Sequence, residues 1–65
     1  MTVTINGKSV NVQPGSLDNT LKAGGFADGT FATAVNGTFV PKEQRKDFSV
    51  SEGDEIEVLT ARQGG

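Results

Sequence analysis

Apolar and polar residues alternate along two stretches near the start of the chain, residues 3–5 and 10–12, with Asn6-Gly7 between them. Alternation with a period of two is typical of a half-buried β-strand. Asn-Gly favours a two-residue type I′ turn, because both positions tolerate positive φ. The pattern therefore predicts a β-hairpin with the apolar residues of both strands on one face. In that register, Ile5 pairs with Lys8, Val3 with Val10 and Met1 with Val12.

A short helix is predicted after the hairpin. Ser16 is a suitable N-cap, since its hydroxyl can accept a hydrogen bond from a free backbone N–H of the first turn. Leu17 and Leu21 lie one turn apart on the same face, and the glycines at 24–25 end the helix. A helix of two turns is not stable alone, so we expect both leucines to pack on the apolar face of the hairpin, sealed by Phe26.

The second half of the chain contains three further extended segments. Residues 30–36 alternate, with Phe31, Thr33 and Val35 on one side, and Asn36-Gly37 predicts another tight turn. The remaining predictions are a short strand over 38–40 ended by Pro41, a helical turn over 42–47, anchors at Phe48 and Val50, a turn over 52–54 and a last strand over 55–60.

The order of these elements, β-β-α-β-(short β)-β, predicts an α+β fold similar to the β-grasp, or ubiquitin-like, fold. We expect a mixed sheet of four to five strands with one short helix packed across one face. Ile56, Val58 and Leu59 make the last strand apolar on both sides, which favours an interior position parallel to the first strand. The expected organisation is a domain over residues 1–61 and a flexible C-terminal Gly-Gly tail over residues 62–65.

Composition excludes several classes of site. The 65 residues include no cysteine and no histidine, so disulfides, thiolate metal sites, cysteine nucleophiles and the commonest general base are absent. The carboxylates have no paired spacing or histidine beside them, and we expect them on turns and strand surfaces without a bound metal. They are Asp47, Glu52, Asp54, Glu55 and Glu57.

Charge and hydropathy limit the classes of partner that this chain is expected to bind. A net charge of −2 argues against nucleic acid as a main partner, because phosphate binding needs clustered cations. The one local basic cluster, Lys42, Arg45 and Lys46, is diluted by acidic neighbours and is expected to be a solvated face. No run approaches the roughly 18 apolar residues of a membrane span, and no signal-like run follows Met1. We therefore expect no membrane association and a cytoplasmic protein.

The carboxylate of Gly65, at the end of Gly64-Gly65, is the leading candidate for a reactive group, since other nucleophiles and bases are scarce. Residues 34–44, which read AVNGTFVPKEQ, resemble the ThiS family of small sulfur carriers of bacterial thiamine biosynthesis. Residues 53–58, which read GDEIEV and lead to the glycine pair, resemble it too. Two features depart from the family pattern: Arg45 stands where members often carry an aromatic residue, and the helical region 17–26 is shorter and richer in glycine.

The resemblance implies a carrier that is acted on by enzymes and is not itself one. A ThiF-like adenylating enzyme would use ATP and magnesium to turn the Gly65 carboxylate into an acyl adenylate, while this chain binds no cofactor. Sulfur from a cysteine desulfurase route would then give a thiocarboxylate, from which a ThiG-like thiazole synthase takes the sulfur.

The tail suits such chemistry, because glycines without Cβ can pass through a narrow slot. From Ala61, four extended residues reach about 13–14 Å. Gly64, Gln63 and Arg62 would thread into the partner, with Arg62 meeting acidic partner residues. A candidate docking patch on the sheet comprises Phe39, Val40 and Leu59, with at least one of them expected in the core instead.

Three alternatives remain open at this point. The first is a sulfur carrier for another pathway, such as molybdopterin, cysteine or a specialised metabolite. The second is a ubiquitin-like modifier joined to lysines through Gly65. The third is a binding domain with an inert tail.

Overall fold

The computed structural model describes residues 1–26 and 31–60 of the chain. The strands are β1 (Thr2–Ile5), β2 (Lys8–Asn11), β3 (Phe31–Val35), β4 (Thr38–Val40) and β5 (Glu55–Thr60). One helix, α1 (Leu17–Ala23), follows β2, and a 3₁₀ turn (Lys42–Gln44) follows β4.

The strands form one mixed sheet in the order β2-β1-β5-β3-β4. The last strand lies at the centre, parallel to β1 and antiparallel to β3. This is the β-grasp arrangement, and it confirms the predicted fold class and the interior position of β5. The predicted boundary between residues 1–61 and the tail at 62–65 lies outside the described residues, as does the loop at 27–30.

Both Asn-Gly turns have the geometry that the sequence predicts. The φ angles are 53° and 82° at Asn6-Gly7, and 51° and 84° at Asn36-Gly37, as a type I′ turn requires. The first turn sets the predicted register of β1 on β2, with Val3 opposite Val10 and Ile5 opposite Lys8. A two-residue turn therefore decides which face of the hairpin is apolar.

The helix is short and is held by its ends and by its buried face. The Asn19 N–H donates to Ser16 Oγ at 3.2 Å, which confirms the predicted N-cap. The C-terminal end is Gly24, followed by Gly25 with a φ of 93°. Leu17 and Leu21 are fully buried under the sheet, and burying a leucine stabilises a fold by about 1.5–3 kcal/mol.

The core lies between α1 and the inner face of the sheet, and the segment between β4 and β5 closes it from the side. The Leu17 N–H donates to the Phe48 carbonyl at 2.7 Å, and the Val50 N–H donates to the Gly15 carbonyl at 3.0 Å. Val50 is buried and Phe48 packs on the core. Both residues are thus the anchors that the sequence predicts for this crossing segment.

The prediction that Lys42, Arg45 and Lys46 form a solvated face is wrong for the arginine. Both lysines are exposed, but Arg45 is only 7% exposed. Its guanidinium donates to two oxygens of β3 and lies over the Phe31 ring. These contacts replace the water that a charged side chain normally keeps.

Candidate functional site

The predicted reactive end of the chain lies outside the described residues: Arg62, Gln63, Gly64 and Gly65. Their roles therefore stay predictions. The structure does place the point from which they continue, Thr60 at the end of β5. Thr60 pairs with Phe31, the first residue of β3. Residues 61–65 thus follow directly on the last residue of the central strand.

Two of the three predicted docking residues are on the surface. The side chain of Phe39 is 62% exposed and that of Leu59 is 76% exposed, which are large fractions for apolar side chains. Both lie on the face of the sheet opposite α1. Apolar side chains exposed together on one face of a sheet are candidates for an interaction surface.

Val40, the third predicted docking residue, is in the core. It is 3% exposed and pairs with Thr33, which also points inward. Phe39 pairs with Ala34, and successive residues of a strand point to opposite faces. Val40 is therefore removed from the docking patch, in line with the expectation that at least one of the three residues is buried.

Small residues of β3 lie between the two exposed apolar side chains. Ala34 is opposite Phe39 on one side and Glu57 on the other, and Ala32 is opposite Leu59. With Thr33 they line a shallow depression of about 220 Å³. We call Phe39, Ala32, Ala34 and Leu59 the outer apolar patch. The two alanines were missed from the sequence, although they alternate with the predicted inward residues of β3.

The outer apolar patch has a polar border towards β1. Glu57 is exposed beside Ala34, and Glu55, one outward position earlier on β5, lies opposite Thr4. Thr4 in turn lies opposite Ser9 of β2. The outer face is therefore apolar over β3, β4 and the end of β5, and polar over the rest.

The asparagines of the two turns hold the backbone of β5. The Val58 N–H donates to Asn6 Oδ1 at 2.8 Å, and Asn6 Nδ2 donates to the Val58 carbonyl at 3.2 Å. The Glu55 N–H donates to Asn36 Oδ1 at 2.9 Å, and the Asn36 N–H donates to the Glu55 carbonyl at 2.7 Å. The central strand is thus fixed near its beginning and near its end by side chains that the sequence suggested only for turns.

Two of the carboxylates have turn roles, as predicted. Asp54 accepts hydrogen bonds from the Ser51 N–H at 2.8 Å and from Asn36 Nδ2 at 3.0 Å. Glu52 accepts from the Thr2 N–H at 2.9 Å. Over residues 1–26 and 31–60, no three acidic side chains come together as metal ligands would. In the same part of the chain, no helix has the length and apolarity to cross a membrane.

The mixed five-stranded sheet with one short helix defines a ubiquitin-like β-grasp protein. Residues 2–65 match the model of the ThiS family. The chain therefore belongs to the ThiS family, whose members are small sulfur carrier proteins and not enzymes.

Solved structures agree with this assignment. The chain is similar to a crystal structure of the thiamine biosynthesis protein ThiS from Geobacter metallireducens, with a TM-score of 0.82 and 28% identity over 100% of both chains. It is also similar to a solution structure of a thiamine biosynthesis protein from the same organism. There the TM-score is 0.78 and the identity 28%, over 100% of this chain and 88% of the other. A search of curated proteins gave no match.

Proposed function

We propose that this chain carries sulfur for the thiazole of thiamine, as a thiocarboxylate on Gly65. The observation that carries the proposal is the match to the ThiS family over residues 2–65. The fold supports it, since the tail continues from a central strand beside an exposed apolar patch. The similar proteins from Geobacter metallireducens are described as thiamine biosynthesis proteins, which favours this pathway over others.

The first proposed step is adenylation by a ThiF-like enzyme. A chain-terminal carboxylate is ionised at pH 7, with a typical pKa of about 3.3–3.7. One of its oxygens attacks the α-phosphorus of ATP, and pyrophosphate leaves. The enzyme must hold the two groups in line and neutralise the phosphates, with magnesium and its own cationic residues.

The second proposed step is the transfer of sulfur to the activated carbonyl. A sulfur nucleophile supplied through a cysteine desulfurase route attacks the acyl carbon, and AMP leaves. Sulfur at the oxidation level of sulfide gives the thiocarboxylate directly, whereas sulfur from a persulfide also needs a thiol reductant. A ThiG-like thiazole synthase then takes the sulfur, and the Gly65 carboxylate is regenerated.

The outer apolar patch is the proposed docking face for these enzymes. Leu59 precedes Gly65 by six residues, and six extended residues span about 20–22 Å. An enzyme seated on the patch can therefore take the carboxylate into a pocket about that far from Leu59. Glu57 and Glu55 border the patch, so a complementary partner presents an apolar centre with cationic side chains on one side.

Intact-mass measurement after incubation with a ThiF-like enzyme, ATP and a sulfur donor tests the proposal. We expect a mass increase equal to the exchange of one oxygen for sulfur. The matched control is the same chain without Gly64 and Gly65, which should stay unchanged. The thiocarboxylate form is then given to a ThiG-like synthase, and thiazole formation is measured.

The outcomes separate the alternatives. Thiocarboxylate without sulfur transfer to the thiazole synthase would indicate a carrier for another pathway. Isopeptide adducts on lysines of other proteins would indicate a modifier. A mass that stays constant with every ThiF-like enzyme would refute the carrier function and leave a binding domain.

A further inference from the structure

Arg45 is the one charged side chain in the described residues that is buried. Its Nε–H donates to Thr33 Oγ1 at 3.0 Å, and an Nη2–H donates to the Phe31 carbonyl at 2.7 Å. The carbon centre of the guanidinium lies 4.4 Å from the centroid of the Phe31 ring. The planar group therefore contacts both the peptide oxygen and the aromatic side chain of Phe31 while it donates to Thr33, and lysine lacks the planar fork of donors that makes this combination.

The backbone of Arg45 is also tied to its surroundings. Its carbonyl accepts from the Asp18 N–H in the first turn of α1 at 3.1 Å, and its N–H donates to the Lys42 carbonyl at 3.3 Å. Thr33, which accepts from Arg45, connects the arginine to β4 as well, because its hydroxyl donates to the Val40 carbonyl at 3.2 Å. Arg45 thus joins the helix, the 3₁₀ turn and two strands.

The strand end that Arg45 holds lies next to the start of the tail. Phe31 is the first residue of β3 and pairs with Thr60, the last residue of β5. Along the edge of β5 that faces β1, the hydrogen bonds extend only as far as Val58, whose backbone bonds to the side chain of Asn6. Within the described residues, the last two positions of β5 are therefore held by β3 alone.

We propose that Arg45 is a positioning residue for the tail, which it fixes indirectly by holding Phe31 against Thr60. Thr33 and Phe31 anchor the guanidinium, Phe31 pairs with Thr60 at the end of β5, and the chain continues from Thr60 into residues 61–65. The consequence for adenylation rests on the proposed function, since a misplaced carboxylate reacts slowly even when the enzyme binds the domain normally.

Amide hydrogen exchange in Arg45→Met tests the structural part without any partner. Leu59 pairs with Ala32, one position before Thr60, and reports on fraying of this strand end. Ile56, the second residue of β5, is buried and pairs with both β1 and β3, so it reports on global opening. We expect Leu59 exchange to rise about tenfold or more in Arg45→Met. The control Lys46→Met removes an adjacent exposed charge and should leave Leu59 exchange unchanged.

A purely stabilising role of Arg45 predicts a different pattern. Ile56 exchange would then rise, because the whole domain opens more often. Leu59 exchange would stay the same, because it follows local fraying. This result would overturn the proposal. If Arg45 acts through Phe31, Arg45→Met has a smaller effect on Leu59 in a Phe31→Leu background. Should Arg45→Met not fold, Arg45→Lys replaces it, with the same expected rise.

Adenylation kinetics with a ThiF-like enzyme test the functional part. We expect kcat for Arg45→Met to fall about tenfold and KM to change by less than about twofold, since the docking patch is intact. Faster Leu59 exchange with an unchanged kcat would refute the positioning role. If the wild-type chain is not adenylated at all, the proposed function fails, and the exchange result alone still decides whether Arg45 holds the strand end.

Discussion

Asn6 offers the sharpest test of how β5 is held, because its backbone and side-chain roles can be separated. Asn6→Gly keeps the positive φ of 53° that the turn requires. It removes both hydrogen bonds between the side chain and Val58. The substitution therefore leaves the turn in place and detaches the side chain from the central strand.

The size of the effect follows from the two bonds. Each contributes about 0.5–1.5 kcal/mol net, and an unsatisfied buried N–H costs about 1–3 kcal/mol. Both bonds are partly buried, so water replaces Oδ1 less well than it would at a fully exposed site. Added backbone freedom in the unfolded chain costs a further ~0.4–1 kcal/mol. We expect a loss of about 2–3 kcal/mol, from a total of roughly 3–10 kcal/mol for a domain of this length.

Thermal and urea unfolding followed by circular dichroism measure the loss. A decrease of 2–3 kcal/mol lowers Tm by about 8–24 °C in so small a domain, with an unchanged denaturant m-value. Asn36→Gly is the matched control, since it also removes two side-chain hydrogen bonds, one from the Glu55 N–H and one to Asp54 Oδ1, and both of these are exposed. Glu55 is exposed, so water can replace the lost acceptor, and the loss should be about 1 kcal/mol smaller. A loss below about 0.5 kcal/mol in Asn6→Gly, or a larger loss in Asn36→Gly, would refute the reasoning.

Two further predictions concern the docking patch and the tail. Phe39→Lys should leave Tm within about 2 °C and raise KM for adenylation about tenfold or more, whereas Val40→Lys should unfold the domain, because a buried charge has no partner there. Unchanged KM in a folded Phe39→Lys protein would contradict the docking face. Deletion of residues 64–65 should abolish the mass gain yet keep Tm within about 2 °C, because terminal residues contribute few packed contacts. A larger drop in Tm would show that the tail packs on the domain.

The turns and the hairpin register were predictable from the sequence because the signals are local. Asn6-Gly7 determines the turn type, the turn length determines the pairing, and the alternation of Val3 and Ile5 then determines the face. The interior place of β5 was also predicted, although only its inward residues Ile56 and Val58 are buried and Leu59 is exposed. In these cases, the residues that decide the structure lie within a few positions of one another.

The faces of β4 and the burial of Arg45 were not predictable in this way. A strand of three residues is too short to show which of Phe39 and Val40 points inward, and the pairing with Thr33 decides it. Arginine is rarely buried, and the groups that hold Arg45 come from residues 12 and 14 positions earlier. At the candidate site, the sequence identified the family motif and two exposed residues, whereas the alanine floor of the patch required the strand register.

The parallel pairing of β1 and β5 has a mechanical consequence. The Thr4 N–H donates to the Asp54 carbonyl at 3.0 Å and the Asn6 N–H to the Ile56 carbonyl at 2.8 Å, with the Asn6 side chain bonded to Val58 beyond them. A force applied between the start of β1 and the end of β5 pulls these neighbouring strands along their length in opposite directions. The bonds then bear the load together in shear, instead of breaking one after another as in a peeled hairpin. Tension on the end of β5 is therefore resisted by the whole centre of the sheet.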